Sequence, residues 1–303
     1  MIDYQKTRAW QSAAVRHSYT TKDCILYALG LGIGADPLDP KQLRFIYEKD
    51  MVVMPTMAAV LATPGFWVRD RADLGINYTK MLHGEQRVVL HQPLAPAATL
   101  IGRSRVTRIV DKGEGKGAVM HVEKVLTDEA SGAAVATTEQ VLFLRGDGGF
   151  SKNGGGDEAA PRPVASPASA AAPAALAVPD RAPDVVLDLP TRADAALLYR
   201  LSGDFNPLHA DPAFAAQAGF PRPILHGLAT YGVACHGLIK SFCDDDPTRL
   251  KSIAARLSAP VFPGETLRLE AWRVGAGEVA FRCRVLERDL LVLSHGHAVV
   301  AAV

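Results

Sequence analysis

The most informative segment of this chain runs from Tyr199 to Gly227, YRLSGDFNPLHADPAFAAQAGFPRPILHG. Its first residues continue an apolar helical pattern, which Gly203 and Pro207 interrupt because glycine favours turns and proline cannot continue a helix. The polar side chains around these two residues are therefore predicted to stand on a loop. A loop on a rigid scaffold is the usual position of reactive groups in proteins.

Three side chains of this loop, Asp204, Asn206 and His209, have the chemistry to orient a water and move a proton. Histidine titrates near neutral pH, and a carboxylate supplies a complementary proton site. Pro207 restricts the backbone between Asn206 and His209, which helps to fix their positions. The N–H of Gly227, at the start of the next apolar helix, can stabilise a developing negative charge. Addition of water to a conjugated thioester needs this combination of base, acid and oxyanion donor.

Each of these residues also has a structural interpretation. Asp204 can cap a turn, Asn206 can form an Asx turn, and His209 can be a satisfied core histidine. Only their combination favours chemistry. A metal site is not expected, because Asp204, His209 and Asp211 lack the ligand count of a calcium loop and no HxxxH pair accompanies them. The absence of a GxSxG motif argues against a serine hydrolase of that fold.

A composition shift divides the chain into two parts. Residues 146–183 are rich in Gly and then in Ala and Pro, and they hold almost no large apolar residues, so they are predicted to form a linker. No GxGxxG or Walker spacing is present, which disfavours a phosphate-binding loop. The predicted domains are residues 1–145 and residues 184–303. The second contains the loop with Asp204, Asn206 and His209, called the reactive loop below.

Both domains place helices before antiparallel strands, which predicts an α+β fold. In the first domain a helix at 20–31 precedes strands at 87–90, 99–110, 117–126 and 133–144. In the second, a strand at 185–189 is followed by helices starting after Thr191 and at 211–218 and 227–242, then by strands at 266–274, 278–287 and 290–300. The pattern PxxPxxTL occurs at Pro93–Leu100 and at Pro260–Leu267, each time before a strand, which indicates a duplicated domain.

The overall composition excludes several classes of protein. Lys and Arg number 33 against 32 Asp and Glu, so the chain has no general attraction to nucleic acid or to a membrane surface. No apolar run is long enough for a membrane span, and neither end carries an address signal, which predicts a cytoplasmic protein. The four cysteines form no CxxC pair and are expected to be free buried thiols. They are Cys24, Cys235, Cys243 and Cys283.

The stretch from Tyr199 to Gly227 closely resembles the signature of the R-specific enoyl-CoA hydratases, or hydratase 2, in the MaoC-like group. The resemblance covers most of the chain outside the linker. Met81–Gln86 (MLHGEQ) resembles the ligand segment of the family's N-terminal half, and Ala259–Leu267 (APVFPGETL) resembles the segment that leads into its sheet. The arrangement of two domains is similar to the hydratase part of the peroxisomal multifunctional enzyme type 2.

This resemblance implies a double hot-dog fold, in which each half wraps a sheet around a long helix. It implies one active site, in the C-terminal half, with an N-terminal half that widens the tunnel for the acyl chain. Asp204 and His209 would be the acid/base pair around one water, Asn206 would hold that water, and Gly227 would donate to the thioester oxygen. Syn hydration would give an (R)-3-hydroxyacyl-CoA.

The resemblance further implies that His83, Gly84 and Lys112 contact the CoA part of an acyl-CoA substrate, with no cofactor. Taken without the family, Lys112 is typical of a solvated turn. Leu257 departs from the family, which often has an aromatic residue there. If Leu257 lines the pocket, its smaller side chain would alter the acyl preference. A homodimer and an acyl carrier protein in place of CoA are both left open.

Two other functions remain as alternatives. A hot-dog thioesterase would hydrolyse the thioester, and its carboxylate and its active site would be placed differently. A non-catalytic acyl-CoA-binding module would be expected to carry a broken motif, whereas Asp204, Asn206 and His209 are intact. Loss of the enoyl absorbance identifies a hydratase, and release of free thiol identifies a thioesterase.

Overall fold

The computed structural model describes residues 2–157 and 178–301. The α-helices of this part are α1 (Tyr4–Arg8), α2 (Thr21–Gly30), α3 (Pro40–Ile46), α4 (Trp67–Asp70), α5 (Ala195–Tyr199), α6 (Pro212–Gln217) and α7 (Gly227–Phe242). The strands are β1 (Val15–Tyr19), β2 (Met81–Leu90), β3 (Ala98–Asp111), β4 (Ala118–Asp128), β5 (Ala134–Leu144), β6 (Val185–Pro190), β7 (Leu250–Leu257), β8 (Thr266–Gly275), β9 (Glu278–Val285) and β10 (Leu290–Val300). Short 3-10 turns lie between them, at Pro55–Ala59, Ala72–Leu74, Tyr78–Lys80, Phe150–Asn153, Arg200–Ser202, Pro207–His209 and Pro247–Arg249.

The strands form one antiparallel sheet in the order β1-β3-β4-β5-β2-β7-β10-β9-β8-β6. The two halves meet where β2 pairs with β7, from Glu85 opposite Arg256 to Val89 opposite Ser252. Counted from its own first strand, each half has the same strand order. The two copies of the PxxPxxTL pattern lead into β3 and β8, which hold equivalent places. The predicted duplication and the predicted α+β class are therefore confirmed in the sheet.

The sheet of the second half wraps around α7, which has 16 residues and is buried along almost its whole length. The 3-10 turn Pro55–Ala59 of the first half packs against α7 and against strands β2 and β5. Thr56 in this turn accepts a hydrogen bond from the hydroxyl of Tyr27 at 3.0 Å. The longest helix of the first half, α2, has 10 residues and is shorter than α7. It ends at Gly30 because a loop rich in Gly and Pro follows.

A buried lysine attaches the segment after this turn to the sheet. Lys124 on β4 is 6% exposed, and its Nζ donates to the carbonyls of Ala59 at 3.0 Å and Leu61 at 2.5 Å. Gly102 on β3 faces Ala62 so closely that a Cβ would lie 2.2 Å from the Ala62 carbonyl oxygen. Burial lowers the pKa of Lys124 to about 7, and the two carbonyl acceptors oppose that shift because they favour the charged form.

The first residues of the predicted linker pack against the N-terminal half. Phe150 is buried, and the carboxylate of Asp147 accepts from the backbone N–H of Asn77 at 3.0 Å. Asp157 accepts from the hydroxyl of Tyr4 at 2.9 Å and from the N–H of Ile109 at 2.8 Å. Residues 146–157 thus form a strap on the first half, whereas residues 158–177 of the predicted linker lie outside the described residues. The boundaries of the two domains stay a prediction.

Several elements differ from the sequence prediction. The helix predicted to start after Thr191 begins at Ala195, and Thr191 does not cap it. The Thr191 hydroxyl instead donates to the Glu265 carbonyl at 2.7 Å and accepts from the Gly264 N–H at 3.0 Å, which joins the end of β6 to the turn before β8. Strands β1 and β7 and the first half of β2 were not predicted. The four cysteines are free and buried, as predicted. In the described part of the chain no helix has both the length and the apolar character needed to cross a bilayer.

Replacement of Lys124 by Met should change how stability depends on pH. The pKa of Lys124 is lower in the folded chain than the usual 10.5, so between about pH 7 and 10 the unfolded chain binds more protons and stability rises with pH. Relative to Lys124→Met, the free energy of unfolding of the natural protein should rise across this window by up to about 1.4 kcal/mol per pH unit. Urea unfolding of both proteins at several pH values measures the difference, and parallel curves would contradict the assignment.

Candidate active site

Short-range hydrogen bonds shape the reactive loop. Gly203 ends the turn Arg200–Ser202 with φ of 118°, a left-handed conformation that glycine adopts without strain. The carboxylate of Asp204 accepts from the N–H of Asn206 at 3.2 Å. The side-chain oxygen of Asn206 accepts from the N–H of Leu208 at 3.1 Å and caps the turn Pro207–His209. The predicted Asx turn is therefore present, and Asn206 fixes the loop. A water held by Asn206 must use its amide nitrogen or the second lone pair of its oxygen.

The loop brings Asp204 and His209 together. The Oδ2 atom of Asp204 lies 4.0 Å from the Nε2 atom of His209, with the carboxylate 51% exposed and the imidazole 10% exposed. The other ring nitrogen of His209, Nδ1, lies 2.9 Å from the carbonyl oxygen of Ile224. Since a carbonyl only accepts, Nδ1 carries the proton and Nε2 presents a lone pair towards Asp204. A gap of 4.0 Å is too long for a direct hydrogen bond and suits a water in contact with both groups.

Burial keeps His209 neutral near neutral pH. It lowers the pKa of His209 below the usual 6.5, while the hydrogen bond to Ile224 and the charge of Asp204 act in the opposite direction. A neutral imidazole with its free nitrogen towards a water is the form that can act as a general base.

A second histidine, His226, packs against the first. The two rings are stacked with their centroids 3.7 Å apart and their planes at 26°. The Nε2 atom of His226 lies 3.2 Å from the main-chain oxygen of Asp204. Burial, followed by the nearby His209, lowers the pKa of His226 to about 4. His226 is a site residue that the sequence motif did not indicate, although its place directly before Gly227 is a signal for it.

Gly227 is the first residue of α7, so its N–H has no acceptor within the helix. A Cβ at this position would lie 2.7 Å from Cδ1 of Leu257. Leu257 at the end of β7 therefore covers the start of α7, next to the candidate oxyanion donor. The structure thus brings both predicted residues to the same place.

Of the residues predicted to contact CoA, His83 and Gly84 are partly buried on a strand, whereas Lys112 is exposed in a hairpin. His83 and Gly84 lie at a bulge of β2, and Nε2 of His83 contacts the Glu85 carbonyl at 3.1 Å. Burial lowers the pKa of His83 to about 4, while the hydrogen bond to the Glu85 carbonyl and the charge of Asp204 act in the opposite direction. Lys112 is exposed in the hairpin between β3 and β4. None of the contacts of the described residues joins Lys112 to the loop.

Asp204, His209 and His226 also have possible metal-ligand atoms within 4.8 Å of one another. This closeness is equally required for acid/base chemistry. The expectation of a site without metal stays a prediction.

Two family models together match most of the chain. Residues 174–294 match the MaoC like domain, and residues 17–146 match the MFE-2 hydratase 2 N-terminal domain. Among curated relatives, 3-hydroxyacyl-thioester dehydratase Y of Mycobacterium tuberculosis is 44% identical over 89% of this chain and 88% of its own length. The peroxisomal enoyl-CoA hydratase 2 of Arabidopsis thaliana is 39% identical over 92% and 89%.

Solved structures show the same fold. A MaoC-like dehydratase from Phytophthora capsici superposes with a TM-score of 0.82 and 32% identity over 100% of both chains. The full-length peroxisomal multifunctional enzyme type 2 of Drosophila melanogaster gives 0.75 and 32%, over 95% of this chain and 48% of its own. A Mycobacterium tuberculosis protein described as having a double hotdog fold gives 0.57 at 16% identity, over 97% and 96%. The predicted double hot-dog fold is confirmed.

The titration of His209 should depend on Asp204. The pKa of His209 is expected below 6.5, and Asp204→Asn should lower it further because the carboxylate is one of the groups that raise it. Nitrogen-15 NMR of the imidazole resonances against pH measures both the pKa and the tautomer, and His91, exposed on the first half, serves as the unaffected control. A pKa of His209 that rises in Asp204→Asn would contradict this arrangement.

Proposed function

This chain belongs to the MaoC-like dehydratase family, and we propose that it is an (R)-specific 2-enoyl-CoA hydratase. The reaction is the reversible addition of water to a trans-2-enoyl-CoA to give an (R)-3-hydroxyacyl-CoA. The observation that carries the proposal is the 4.0 Å approach of Asp204 Oδ2 and His209 Nε2, with the tautomer of His209 fixed by Ile224. Relatives named as acyl-thioester dehydratase and enoyl-CoA hydratase support the same reaction.

One water supplies both the hydroxyl group and the hydrogen that are added. It lies between Asp204 and His209, with Asn206 fixing the loop beside it. The neutral His209 accepts a proton through Nε2 while the water oxygen bonds to the third carbon of the enoyl chain. The acid/base pair then delivers a proton to the second carbon from the same face, so that the addition is syn and no net proton is taken up.

The thioester oxygen becomes negative when the third carbon is attacked. The N–H of Gly227 at the start of α7 donates to this oxygen, and the helix dipole adds to the stabilisation. Leu257 packs over Gly227 and so borders the reacting end of the acyl chain. The smaller side chain at this position is therefore proposed to influence which acyl groups are accepted.

The N-terminal half is proposed to bind the rest of the substrate. His83 and Gly84 lie at the bulge of β2, directly before the residues that pair with β7, and are proposed to contact the CoA part near the thioester. Lys112 is proposed only as a more distant, exposed contact for a phosphate. A cavity of about 150 Å³ near the C-terminal end of α7, lined by Val52, Leu90, Leu94 and Pro247 among others, is the proposed end of the path for a long acyl chain.

The alternatives have less support. A thioesterase would also use a base and an oxyanion donor, but relatives named as dehydratase or enoyl-CoA hydratase favour the addition of water. A binding module would not need the tautomer of His209 to be fixed. Some relatives carry a peroxisomal name, so a cytoplasmic location stays a prediction, as does a homodimer.

Replacement of either member of the pair should abolish most of the activity. Asp204→Asn and His209→Gln should each lower kcat roughly 100-fold or more, because each removes a proton-transfer group. Loss of the enoyl absorbance of crotonyl-CoA measures the rate, and chiral chromatography of the product tests for the (R) isomer. Asp211→Asn is the matched control, since the Asp211 carboxylate caps α6 and Asn can replace it as a cap. Normal turnover in the first two variants, or release of free thiol by the natural protein, would reject the proposal.

Two substitutions at Gly227 separate the donor from the packing. Alanine and proline both place a Cβ against Leu257, but only proline removes the N–H. The ψ of His226, 135°, suits a following proline, and proline is well tolerated at the first position of a helix. Gly227→Pro should turn over roughly 100-fold more slowly than Gly227→Ala. Equal values of kcat in two folded variants would exclude this donor.

A further inference from the structure

His226 contacts all three parts of the proposed catalytic apparatus. Its ring stacks on His209, its Nε2 atom reaches the main chain of Asp204, and its backbone leads directly into Gly227. The side chain is 1% exposed. Replacement of His226 is therefore expected to move at least one of these groups.

The hydrogen bond of His226 defines its protonation. The partner of Nε2 is a carbonyl oxygen, which only accepts, so Nε2 carries the proton. In the neutral ring Nδ1 is then a bare lone pair, and it is buried without a hydrogen-bond partner among the described residues. A buried polar atom without a partner costs stability and calls for an explanation. Packing alone does not provide one, because an apolar ring would fill the same space without that cost.

We infer that His226 is a positioning residue, which holds the main chain of Asp204 with its N–H and supports the ring of His209 with its face. The inference rests on the proposed function. The contact fixes the main chain of Asp204, because its carbonyl accepts from a buried donor. The carboxylate of the same residue extends into solvent. The stacked ring limits the tilt of His209 about its bond to Ile224. Together these contacts set the 4.0 Å gap in which the water lies.

The charge state of His226 suits this task. Burial, His209 and Arg200 all lower its pKa, while Asp204 acts in the opposite direction, and the result is a pKa of about 4. His226 therefore stays neutral while His209 takes up and releases a proton. Two stacked rings 3.7 Å apart do not become charged together.

The same helix offers a matched control. His236, also on α7, is 8% exposed, has a pKa lowered to about 4 mainly by burial, and has one nitrogen without a hydrogen-bond partner among the described residues. It packs edge-on against Phe45, away from the reactive loop. Loss of His236 should affect folding stability in the way that loss of any buried histidine does, with no effect on the geometry around Asp204.

The experiment compares His226→Phe, His226→Gln, His226→Asn and His236→Phe. Phenylalanine keeps a stacked ring without a donor. Glutamine can place its amide nitrogen near the position of Nε2, and asparagine is too short to do so. The measurements are kcat and KM for crotonyl-CoA and the thermal midpoint of each protein. His226→Phe and His226→Asn should lower kcat about tenfold or more with KM changed little, because small displacements of reacting groups have large effects on rate. His226→Gln should turn over faster than His226→Asn but below the natural rate, because it keeps the donor without the stacked ring, and His236→Phe should keep the natural kcat.

The outcomes separate the inference from the proposed function. If His226→Phe folds and turns over like the natural protein, the inference is wrong. If His226→Phe does not fold, the Gln and Asn variants decide, and equal values of kcat in those two would also overturn it. A natural protein that hydrates no enoyl-CoA would instead reject the function on which the inference rests.

Discussion

The pairing of β2 with β7 is the constraint on which the rest of the molecule depends. Main-chain hydrogen bonds from Glu85 opposite Arg256 to Val89 opposite Ser252 join two five-stranded sheets into one. The side chains of Glu85 and Arg256 also form an ion pair at 2.8 Å, although a partly exposed pair adds little stability by itself. This register places the bulge at His83 and Gly84 of the first half directly beside the end of β7. It also sets the end of β7, where Leu257 lies, against the start of α7.

Within that frame, the reactive loop is organised by main-chain contacts rather than by ion pairs. Ile224 fixes the tautomer of His209, Leu208 holds the side chain of Asn206, and His226 holds the main chain of Asp204. Backbone groups do not titrate, so this geometry persists while the side chains exchange protons. Such preorganisation is the main way in which proteins stabilise developing charge.

Local signals in the sequence explain which features could be predicted. The caps, the proline and glycine breaks, and the apolar periodicity of residues 227–242 act over a few residues, and they gave α7 and most strands correctly. The motif predicted Asp204 and His209 as a pair, and the loop places their side chains 4.0 Å apart. By contrast, β1 has only five residues, and β7 carries Lys251, Ser252 and Arg256 among its eight, so both are specified mainly by their partners in the sheet. Lys124 and His226 have roles that come from long-range contacts, with Leu61 and Asp204 respectively, which no local pattern encodes.

The strap at residues 146–157 limits how the first half can be separated from the second. A fragment that stops at residue 145 would lose Phe150 from its apolar cluster and would lose the carboxylates that pair with Asn77 and Tyr4. The donors of Asn77 and Tyr4 would then lose their acceptors, and the apolar residues around Phe150 would face water. Both changes favour aggregation over folding. An isolated N-terminal half, or a circular permutant opened between the halves, therefore has its natural cut site beyond Asp157, where the composition of the chain becomes that of a connector.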